Sequence, residues 1–521
     1  MGDLYTGGTI GALVISSILR HPERPAISDG SVSWTYRELG DAIGRFITVY
    51  RELGLTKGNA LSILSSNRAD TWAAMCAGLI MGMRYTPLHP LAAEDDHALV
   101  IEDAEIDALI VEAAKFSERG LAIKRRVPGL KHLLAFGDIA GAQDVLKAAK
   151  VASPAPLVDE SEAEEIALLS YTGGTTGRSK GVMLPHRALT TMATVICADW
   201  DWPLDIRYLA ATPISHAAGV TIYPVMLRGG YTRLTQGFDV GEFCRVVAEE
   251  KITATFLVPT LIYGLIDSAA VRQRYDLSSL DLMIYGAAPM SPDRLKEAMK
   301  IFGSVFLQLY GQTEAPQCVT TLRKVDHDLE KPARLGSCGR PNPLVDVRLL
   351  DRDLREVGVG EPGEICVRGT LVMKGYWKRP DATEETLRGG WLHTGDVAVR
   401  DAEGYLYIVD RTKDMIISGG FNIYPREVED ALMSHEAVAS AAVIGIPDAK
   451  WGEAVTAFVV LKPGATADAA TLQAHVKAKR GAPWSPKSIE FLADIPVTGL
   501  GKVDRKVLRT PYWEGRNRGV A

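Results

Sequence analysis

Apolar runs alternate with helical patterns through the first 340 residues of the chain. Short apolar runs at 60–64 and 107–111 predict buried strands, and the longer apolar stretch at 69–83 predicts a helix. Further strands are predicted at 166–171, 208–212, 254–258 and 280–285, and a further helix at 292–302. This alternation is typical of an α/β fold in which mixed sheets are flanked by helices.

The pattern changes near residue 345. From there to residue 409, short strands lie between turns rich in Gly and Asp, which predicts a small β-barrel-like subdomain over about 340–410. Beyond residue 410 a compact α+β pattern begins. We therefore predict a large N-terminal domain over 1–410 and a small C-terminal domain over 414–521, joined by residues 411–413. The Pro- and acid-rich stretch 153–165 predicts a surface linker.

Composition narrows the functional classes. Hydrophobic residues make up 47% of the 521 residues and charged residues 23%, as in a soluble globular protein. A net charge of −6 disfavours a general nucleic-acid binder. The chain starts without the basic region of a signal peptide, and its longest uncharged apolar run, 72–83, is shorter than the ~18 residues of a membrane span. The six cysteines show no metal-binding spacing, so we expect reduced thiols in a cytoplasmic protein, with peripheral membrane contact left open.

A phosphate-binding loop is predicted directly after the strand at 166–171. Its glycines let the backbone approach an anion, its threonine hydroxyls add donors, and its lysine adds a positive charge. The residues expected to hold phosphate are Thr172, Gly173, Gly174, Thr175, Thr176, Gly177 and Lys180. The spacing is not that of a Walker loop, because the fifth residue after Gly173 is Arg178 and Lys180 is followed by Gly181. A P-loop ATPase or kinase is therefore disfavoured, and an ordinary Gly-rich turn is the alternative.

The loop resembles the signature of the adenylate-forming enzymes, which include acyl-CoA synthetases, luciferases and peptide-synthetase adenylation domains. Gly173 stands where that signature has Ser, and Ser179 where it has Pro. Further motifs of the family follow in the same order: Gly286-Ala287-Ala288-Pro289, Tyr310-Gly311-Gln312-Thr313-Glu314, Trp391-Leu392-His393-Thr394-Gly395-Asp396, Asp410-Arg411-Thr412-Lys413-Asp414 and Pro496-Val497-Thr498-Gly499-Leu500-Gly501-Lys502. The resemblance covers about 170–502 and is closest to bacterial fatty-acyl and aryl acyl-CoA synthetases.

The resemblance implies a role in ATP binding for most of these motifs. Glu314 would bind Mg²⁺, Thr313 would contact the α-phosphate, and Tyr310 would stack on adenine. Activating a carboxylate with ATP brings two anions together, and a divalent cation on a hard carboxylate oxygen offsets their repulsion. The other residues implied in the nucleotide pocket are Gly286, Ala287, Ala288, Pro289, Gln308 and Gly311.

Three charged residues complete the implied nucleotide site. Asp396 and Arg411 would bind the ribose, and Lys502 would bridge the substrate carboxylate and the α-phosphate in the transition state. The predicted catalytic set is Lys502, Thr313, Glu314 and His216. Taken singly, Asp396 is also explained as a turn residue, Lys502 as an exposed lysine and Tyr310 as a core tyrosine.

The resemblance also implies an acyl pocket, a coenzyme A tunnel and a hinge. The acyl pocket would be lined by His216, Val220, Tyr263, Gly286 and Gln317, although a core role for the histidine is the alternative. The tunnel would be lined by Gly419, Gly420, Phe421 and Asn422, with Phe421 where many relatives have Glu. Lys413 would be the pivot about which a mobile C-terminal domain turns.

The implied function is an AMP-forming acyl-CoA synthetase that uses ATP, Mg²⁺ and coenzyme A. A ligase that loads a carrier protein, a free-standing adenylation domain and a non-catalytic nucleotide-binding protein are the alternatives. An amino-acid substrate is disfavoured, because the segment 208–220 and the helix after Thr260 contain no acid before Asp267. The mostly apolar pocket suits a fatty, alicyclic or aryl acid without ranking them. Sequence does not reveal the oligomeric state, the contacts to the coenzyme A phosphates or the orientation of the two domains.

Overall fold

The computed structural model describes residues 8–172, 179–411, 414, 416–418, 421–448, 451–497 and 503–514. Its α-helices are α1 (Ile10–Arg20), α2 (Tyr36–Glu52), α3 (Ala69–Ile80), α4 (Glu94–Asp103), α5 (Ala113–Arg126), α6 (Val145–Val151), α7 (His186–Asp199), α8 (Ala217–Val220), α9 (Ile222–Leu227), α10 (Val240–Glu250), α11 (Pro259–Asp267), α12 (Ala269–Arg272), α13 (Pro292–Phe302), α14 (Pro380–Thr386), α15 (Pro425–Met433), α16 (Ala469–Arg480) and α17 (Arg505–Trp513). Short 3₁₀ helices lie at Lys324–Asp326, Pro332–Gly336 and Arg388–Gly390.

The strands are β1 (Pro25–Ser28), β2 (Ser33–Thr35), β3 (Ala60–Leu64), β4 (Arg84–Pro87), β5 (Ala108–Glu112), β6 (His132–Phe136), β7 (Gln143–Asp144), β8 (Ile166–Thr172), β9 (Lys180–Pro185), β10 (Arg207–Ala210), β11 (Tyr231–Leu234), β12 (Ala254–Leu257), β13 (Leu282–Gly286), β14 (Phe306–Gln312), β15 (Ala315–Leu322), β16 (Arg340–Pro341), β17 (Asp346–Leu350), β18 (Gly363–Arg368), β19 (Gly375–Tyr376), β20 (Leu392–Arg400), β21 (Leu406–Arg411), β22 (Ile416–Ser418), β23 (Phe421–Ile423), β24 (Val438–Asp448), β25 (Gly452–Leu461) and β26 (Ser488–Phe491). The strands predicted before residue 340 are all present, with ends within two residues of the prediction.

Two large sheets form the N-terminal part of the molecule. One has the order β16-β15-β14-β13-β12-β10-β11-β1-β2 and the other the order β19-β9-β8-β4-β3-β5-β6-β7. Their central strands pair in parallel and are buried on both faces, as the continuous apolar runs require. The largest hydrophobic cluster joins residues of both sheets with the helices α1, α2, α3, α7 and α9. The predicted α/β fold with mixed sheets and flanking helices is confirmed.

Helix α3 is buried on almost every side, and it ends three residues before its apolar run does. Asp70 is its one residue that is not buried. The helix stops because Gly82 adopts a φ of +69°, which lets the N–H of Met83 donate to the carbonyl oxygen of Gly78 at 2.9 Å. The helix predicted to end at residue 83 therefore included three residues that belong to the turn before β4.

The remaining sheets are antiparallel or mixed. The strands predicted at 345–409 form a four-stranded antiparallel sheet of order β17-β18-β20-β21. The C-terminal part has a sheet of order β23-β22-β25-β24, with β26 parallel to β25. Helices α15 and α16 join one of its hydrophobic clusters and α17 the other, which confirms the small α+β domain. The exact boundaries at 410 and 414 stay a prediction.

The stretch 153–165, predicted to be a surface linker, lies against the helices of the N-terminal part. The N–H of Ala155 donates to the carbonyl oxygen of Gly44 at 3.0 Å, and that of Glu160 to the oxygen of Ile80 at 2.8 Å. A Cβ on Gly44 would come within 2.6 Å of the Ala155 oxygen, so this contact requires glycine. No helix among the described residues is long and apolar enough to cross a membrane.

Candidate active site

The predicted phosphate loop closes a hairpin between two strands. Strands β8 and β9 are antiparallel, with Thr172 opposite Lys180 and Tyr171 opposite Gly181. The loop residues Gly173, Gly174, Thr175, Thr176 and Gly177 lie outside the described residues, as does the side chain of Thr172. Lys180 therefore begins a strand, whereas the lysine of a Walker loop begins a helix, in agreement with the non-Walker spacing.

Tyr376 connects Lys180 to Glu314. The ammonium group of Lys180 lies 4.8 Å from the centroid of the Tyr376 ring, within the range of a cation–π contact. The hydroxyl of the same tyrosine donates to Oε1 of Glu314 at 2.7 Å. Burial, reinforced by the Glu314 charge, raises the pKa of Tyr376, so its hydroxyl stays protonated and remains a donor. One ring thus holds the predicted phosphate-binding lysine and the predicted metal ligand together.

Thr313 and Glu314 form the turn between β14 and β15, in which Gln312 pairs with Ala315. Glu314 is buried, and its carbonyl oxygen accepts from the N–H of Met373 at 2.8 Å. One carboxylate held in a fixed position suits Mg²⁺, which binds one or two protein carboxylates and keeps waters or phosphate oxygens for its other positions. The residues present therefore fit the predicted cation.

The residues predicted to bind adenine and ribose are hydrogen-bonded to each other. The Tyr310 hydroxyl donates to Oδ2 of Asp396 at 2.7 Å. Asp396 lies opposite Arg411 in the pairing of β20 with β21, so their backbones are neighbours, although the Arg411 side chain is outside the described residues. Burial and the Asp396 charge raise the pKa of Tyr310, which keeps its hydroxyl a donor. The Asp396 carboxylate is therefore held in place by a side-chain partner. A residue that only forms a turn would not require such a partner.

A carboxylate on a neighbouring strand fixes the part of β20 that carries Asp396. Glu364 accepts from Nδ1 of His393 at 2.7 Å and from the N–H of Gly395 at 2.9 Å, one bond to each of its oxygens. Thr394, between them, donates to the carbonyl oxygen of Ile365 at 2.7 Å, and its hydroxyl accepts from the N–H of Asp396 at 3.1 Å. Sequence reasoning did not identify Glu364, whose signal is only its alternation with apolar residues on β18.

The segment Gly286-Ala287-Ala288-Pro289 directly follows β13. A Cβ on Gly286 would come within 2.5 Å of the carbonyl oxygen of Leu309 on β14, so the neighbouring strand excludes any larger residue. Ala287 has a φ of +63°, which is strained for a residue with a side chain. Gly286 and Ala287 thus bring the backbone close to the end of β14, where Tyr310 and Gly311 lie.

Gln308 is placed by two side chains that the motifs did not reveal. The Tyr285 hydroxyl lies 3.3 Å from Oε1 of Gln308 and 3.0 Å from Nε2 of His327, whose Nδ1 lies 2.8 Å from the carbonyl oxygen of Arg323. Burial lowers the pKa of His327 to about 4, so the ring is neutral and accepts from Tyr285. We call the region of Lys180, Gln308, Tyr310, Glu314, Tyr376 and Asp396 the nucleotide end of the site.

Gln317 holds the short helix of the predicted acyl pocket. Its φ is +59°, and its amide nitrogen donates to the carbonyl oxygen of Ala217 at 2.7 Å and to Oγ1 of Thr221 at 3.0 Å. Those acceptors lie at the two ends of α8, which has His216 before it and Val220 as its last residue. The structure therefore brings His216, Val220 and Gln317 together. We call this region, together with the cavity beside α8, the acyl end.

The His216 ring contacts a second imidazole. Its Nδ1 lies 2.8 Å from Oγ of Ser215, and its ring centroid lies 4.7 Å from that of His89, edge to face.

Tyr263, by contrast, accepts from the N–H of Ser291 at 2.9 Å and lies under the Arg294 guanidinium. The contacts of Tyr263 thus involve α13 and the segment before it, and its place in the acyl pocket stays a prediction.

A cavity lies next to α8. Its wall includes Ser215, Gly219 and Val220 on one side, and Trp72, Tyr85 and Tyr223 on the other. Trp72 belongs to the apolar stretch 69–83, which predicted only a helix, and no prediction was made for Tyr85 or Tyr223. Of the residues predicted to line the acyl pocket, Val220 is on this wall, and the acyl pocket stays a prediction.

Two family models match the chain over most of its length. The model of the AMP-binding enzymes matches residues 16–377, and that of the AMP-binding enzyme C-terminal domain matches residues 427–502. The chain belongs to the AMP-binding enzyme family. The predicted adenylate-forming family is thereby confirmed, and with it the class of AMP-forming acid–thiol ligases.

Individual relatives of this AMP-binding enzyme differ in their named substrates. The medium/long-chain-fatty-acid–CoA ligase FadD8 of Mycobacterium tuberculosis is 43% identical over 98% of this chain and 91% of its own. Feruloyl-CoA synthase of Amycolatopsis is 37% identical over 94% and 96%. Among solved structures, the amide bond synthetase McbA of Marinactinospora thermotolerans has a TM-score of 0.89 at 31% identity, covering 97% of this chain and all of its own.

The C-terminal domain of this AMP-binding enzyme approaches the nucleotide end through α15. Burial raises the pKa of Tyr263 to about 12, and the charge of Arg426 on α15 opposes that rise. The same guanidinium acts on Tyr285 and Cys338. Arg426 is thus near enough for its charge to act on Tyr263, Tyr285 and Cys338, a proximity that the motifs did not predict.

The predicted tunnel and hinge residues are only partly described. Phe421 lies opposite Ser418 in the hairpin of β22 and β23, is half exposed, and has its ring 6.3 Å from that of Trp484. Asn422 lies on the same hairpin with its side chain outside the described residues. Gly419, Gly420, the hinge residue Lys413 and the catalytic candidate Lys502 also lie outside them.

Proposed function

We propose that this enzyme activates a carboxylic acid with ATP and transfers it to coenzyme A. The first step forms acyl-AMP and releases pyrophosphate, and the second forms a thioester with the coenzyme A thiol and releases AMP. The observation that carries the proposal is the chain of contacts from Lys180 through Tyr376 to Glu314, beside the Tyr310–Asp396 hydrogen bond. These contacts place three charged groups around the end of β14: a cation suited to phosphate, a carboxylate suited to a metal and a carboxylate suited to ribose.

Each group then has one task. Lys180 balances phosphate charge, and Asp396 accepts hydrogen bonds from the ribose hydroxyls, where a charged acceptor contributes about 1.5–3 kcal/mol per bond. Glu314 holds Mg²⁺, which neutralises charge on the phosphate oxygens when bound. Thr313 contributes its hydroxyl to the α-phosphate. Tyr376 keeps Glu314 in place, so the metal ligand does not reorganise during the reaction.

Acceptor chemistry is the point on which relatives differ. The similarity to an amide bond synthetase favours an amine acceptor as the second candidate, and a carrier-protein thiol is a third. The hairpin of Phe421 and Asn422 supports coenzyme A, because in the family this segment lines the pantetheine tunnel.

Separate measurement of pyrophosphate and AMP tests the proposal. Purified protein is incubated with ATP, Mg²⁺ and a panel of fatty, alicyclic and aryl acids, with coenzyme A, a simple amine, a carrier protein or no acceptor. We expect acid-dependent pyrophosphate release in every arm and multiple-turnover AMP release only with coenzyme A. AMP release that follows the amine or the carrier protein would assign the acceptor differently, and no pyrophosphate with any acid would indicate a non-catalytic nucleotide-binding protein.

Lys502 is proposed to serve the first step alone. A positive charge aimed at the transition state contributes about a hundredfold to a thousandfold in rate, so Lys502→Ala should lower pyrophosphate release by at least that factor. The variant should still convert synthetic acyl-AMP and coenzyme A to thioester at close to the parental rate. Loss of both half-reactions together would contradict this assignment.

Lys413 is proposed as the pivot between a large domain, 1–410, and a small domain, 414–521. Proline fixes φ near −65° and removes the N–H, so Lys413→Pro should hold the domains in one orientation. The expected result is the opposite of Lys502→Ala: pyrophosphate release persists and thioester formation collapses. Lys413→Ala leaves the backbone free and should keep both steps. Parental acyl-CoA synthesis by the proline variant would place the pivot elsewhere.

A further inference from the structure

The cavity beside α8 has polar groups on its wall that lack partners. Trp72 is 1% exposed, and its indole N–H has no hydrogen-bond partner within the described part of the chain. Tyr85 and Tyr223 are 4% and 3% exposed; neither hydroxyl has a hydrogen bond within the described part of the chain, and unlike the Trp72 N–H neither is fully enclosed. Burial alone raises the pKa of Tyr85 and is the main cause of the rise at Tyr223, so both hydroxyls are protonated and able to donate.

Fully buried tyrosines elsewhere in this enzyme do have partners. The hydroxyls and their partners are Tyr36 with the Gly230 carbonyl at 2.7 Å, Tyr50 with the Ala74 carbonyl at 3.0 Å, Tyr208 with the Ala218 carbonyl at 3.3 Å and Tyr285 with Nε2 of His327 at 3.0 Å. These four tyrosine hydroxyls are therefore all paired, whereas the buried hydroxyls of Thr86 and Thr232 have no partner among the described residues. An unpaired buried donor costs about 1–3 kcal/mol, so the Trp72 N–H, with two unbonded tyrosine hydroxyls on the same wall, points to a partner that the chain itself does not supply.

The three groups are close together and the space between them is small. The rings of Trp72 and Tyr223 are 5.1 Å apart between centroids, and the other walls are apolar, with Leu79 and Leu168 among them. The cavity volume is about 20 Å³, and one water molecule needs roughly 10–15 Å³ by the same measure. This volume accommodates one small polar group at the end of an apolar body.

We propose that the acid activated by this enzyme carries an oxygen at its far end, as a hydroxyl, methoxy or carbonyl group. The inference rests on the proposed function, because it takes Val220 and Gly219, which the cavity shares with α8, as the route from the carboxylate to the cavity. The oxygen accepts a hydrogen bond from Trp72, Tyr85 or Tyr223. An unsubstituted chain of the same length leaves these donors unpaired and is the poorer substrate.

Matched acids test the proposal. Cinnamic acid is compared with its para-methoxy derivative, and octanoic acid with its ω-hydroxy derivative, by kcat/KM for coenzyme A-dependent AMP release. One recovered hydrogen bond corresponds to about a tenfold difference in kcat/KM. We therefore expect the oxygenated member of at least one pair to be preferred by about that factor. Tyr85→Phe, Tyr223→Phe and Trp72→Phe each remove one donor, and at least one of them should bring the ratio towards one.

A matched control separates loss of a donor from loss of stability. Tyr50→Phe also removes a buried hydroxyl, but one that is bonded to the Ala74 carbonyl and lies outside the cavity wall. It should lower the thermal midpoint and leave the ratio between the two acids unchanged. Turnover with no preference for either oxygenated acid, or a preference that survives all three cavity variants, would overturn the inference and leave the proposed function intact. No turnover of any acid would instead count against the proposed function.

Discussion

At the nucleotide end the polar side chains are hydrogen-bonded to one another, whereas at the acyl end the buried Trp72 N–H and two tyrosine hydroxyls have no hydrogen bond among the described residues. Tyr310 donates to Asp396 and Tyr376 to Glu314, so both carboxylates are already positioned. Trp72, which is 1% exposed, has an N–H with no partner among the described residues. Both ends draw residues from the two large sheets, so the fold class does not explain the difference.

The difference reflects what each end would bind. In the proposed function the nucleotide end meets the same ligand in every relative, and side chains held in place by their neighbours bind it without reorganising. The acyl end meets an acid that differs between relatives, as the names of the fatty-acid and feruloyl enzymes indicate. Groups that complete their hydrogen bonds only with the correct acid would provide that selectivity, because a wrong acid leaves them unpaired.

Removal of the ribose carboxylate should affect catalysis more than loss of the contacts made by Tyr376 or His327. Asp396→Ala removes a charged acceptor and leaves the Tyr310 hydroxyl without its partner, so kcat/KM for ATP should fall by roughly 10³. The ratio between an oxygenated acid and its unsubstituted partner should not change, because the acyl end is untouched. Steady-state kinetics with varied ATP, then with varied acid, measures both quantities. A change in the acid ratio would show that the two ends are not separate.

A smaller effect is expected from the ring that joins Lys180 to Glu314. Tyr376→Phe removes the hydrogen bond to the carboxylate and keeps the ring under the ammonium group, so kcat/KM for ATP should fall about tenfold and half-maximal activity should need more Mg²⁺. Tyr376→Leu also removes the cation–π contact and should cost a further few-fold. A titration of activity against Mg²⁺ for both variants distinguishes the two contributions. Equal behaviour of Phe and Leu would mean that the ring contact is not used.

The smallest effect on catalysis, and a clear one on stability, is expected from His327. Burial lowers its pKa from 6.5 to about 4, so the unfolded chain binds the additional proton between those values. The neutral state of His327 therefore contributes fully to the free energy of unfolding above pH 6.5. This contribution is lost as the pH falls towards 4, and the loss is about 3 kcal/mol at most. His186, with its pKa also lowered to about 4, adds to the same loss. His327→Gln should therefore flatten the decline of the urea midpoint between pH 6.5 and 4, and an unchanged slope would contradict the neutral state of His327.

Sequence predicted the strands well, because parallel strands buried on both faces appear in sequence as continuous apolar runs. The motifs could be placed because they follow directly after those strands. Sequence placed the end of α3 too late, since the turn at Gly82 is set by a backbone conformation and not by hydrophobicity. It missed Tyr376, which reaches Glu314 only because β19 pairs with β9. It also missed Trp72, Tyr85 and Tyr223, because hydrophobicity does not distinguish a paired polar group from an unpaired one.

Gln317 gives the two ends a mechanical connection. It holds both ends of α8 through its amide, and it lies on β15 only three residues after Glu314. In the proposed function, displacement of α8 by an acid therefore also acts on β15, which begins directly after Glu314. We expect a badly fitting acid to slow ATP cleavage itself as well as to bind less often.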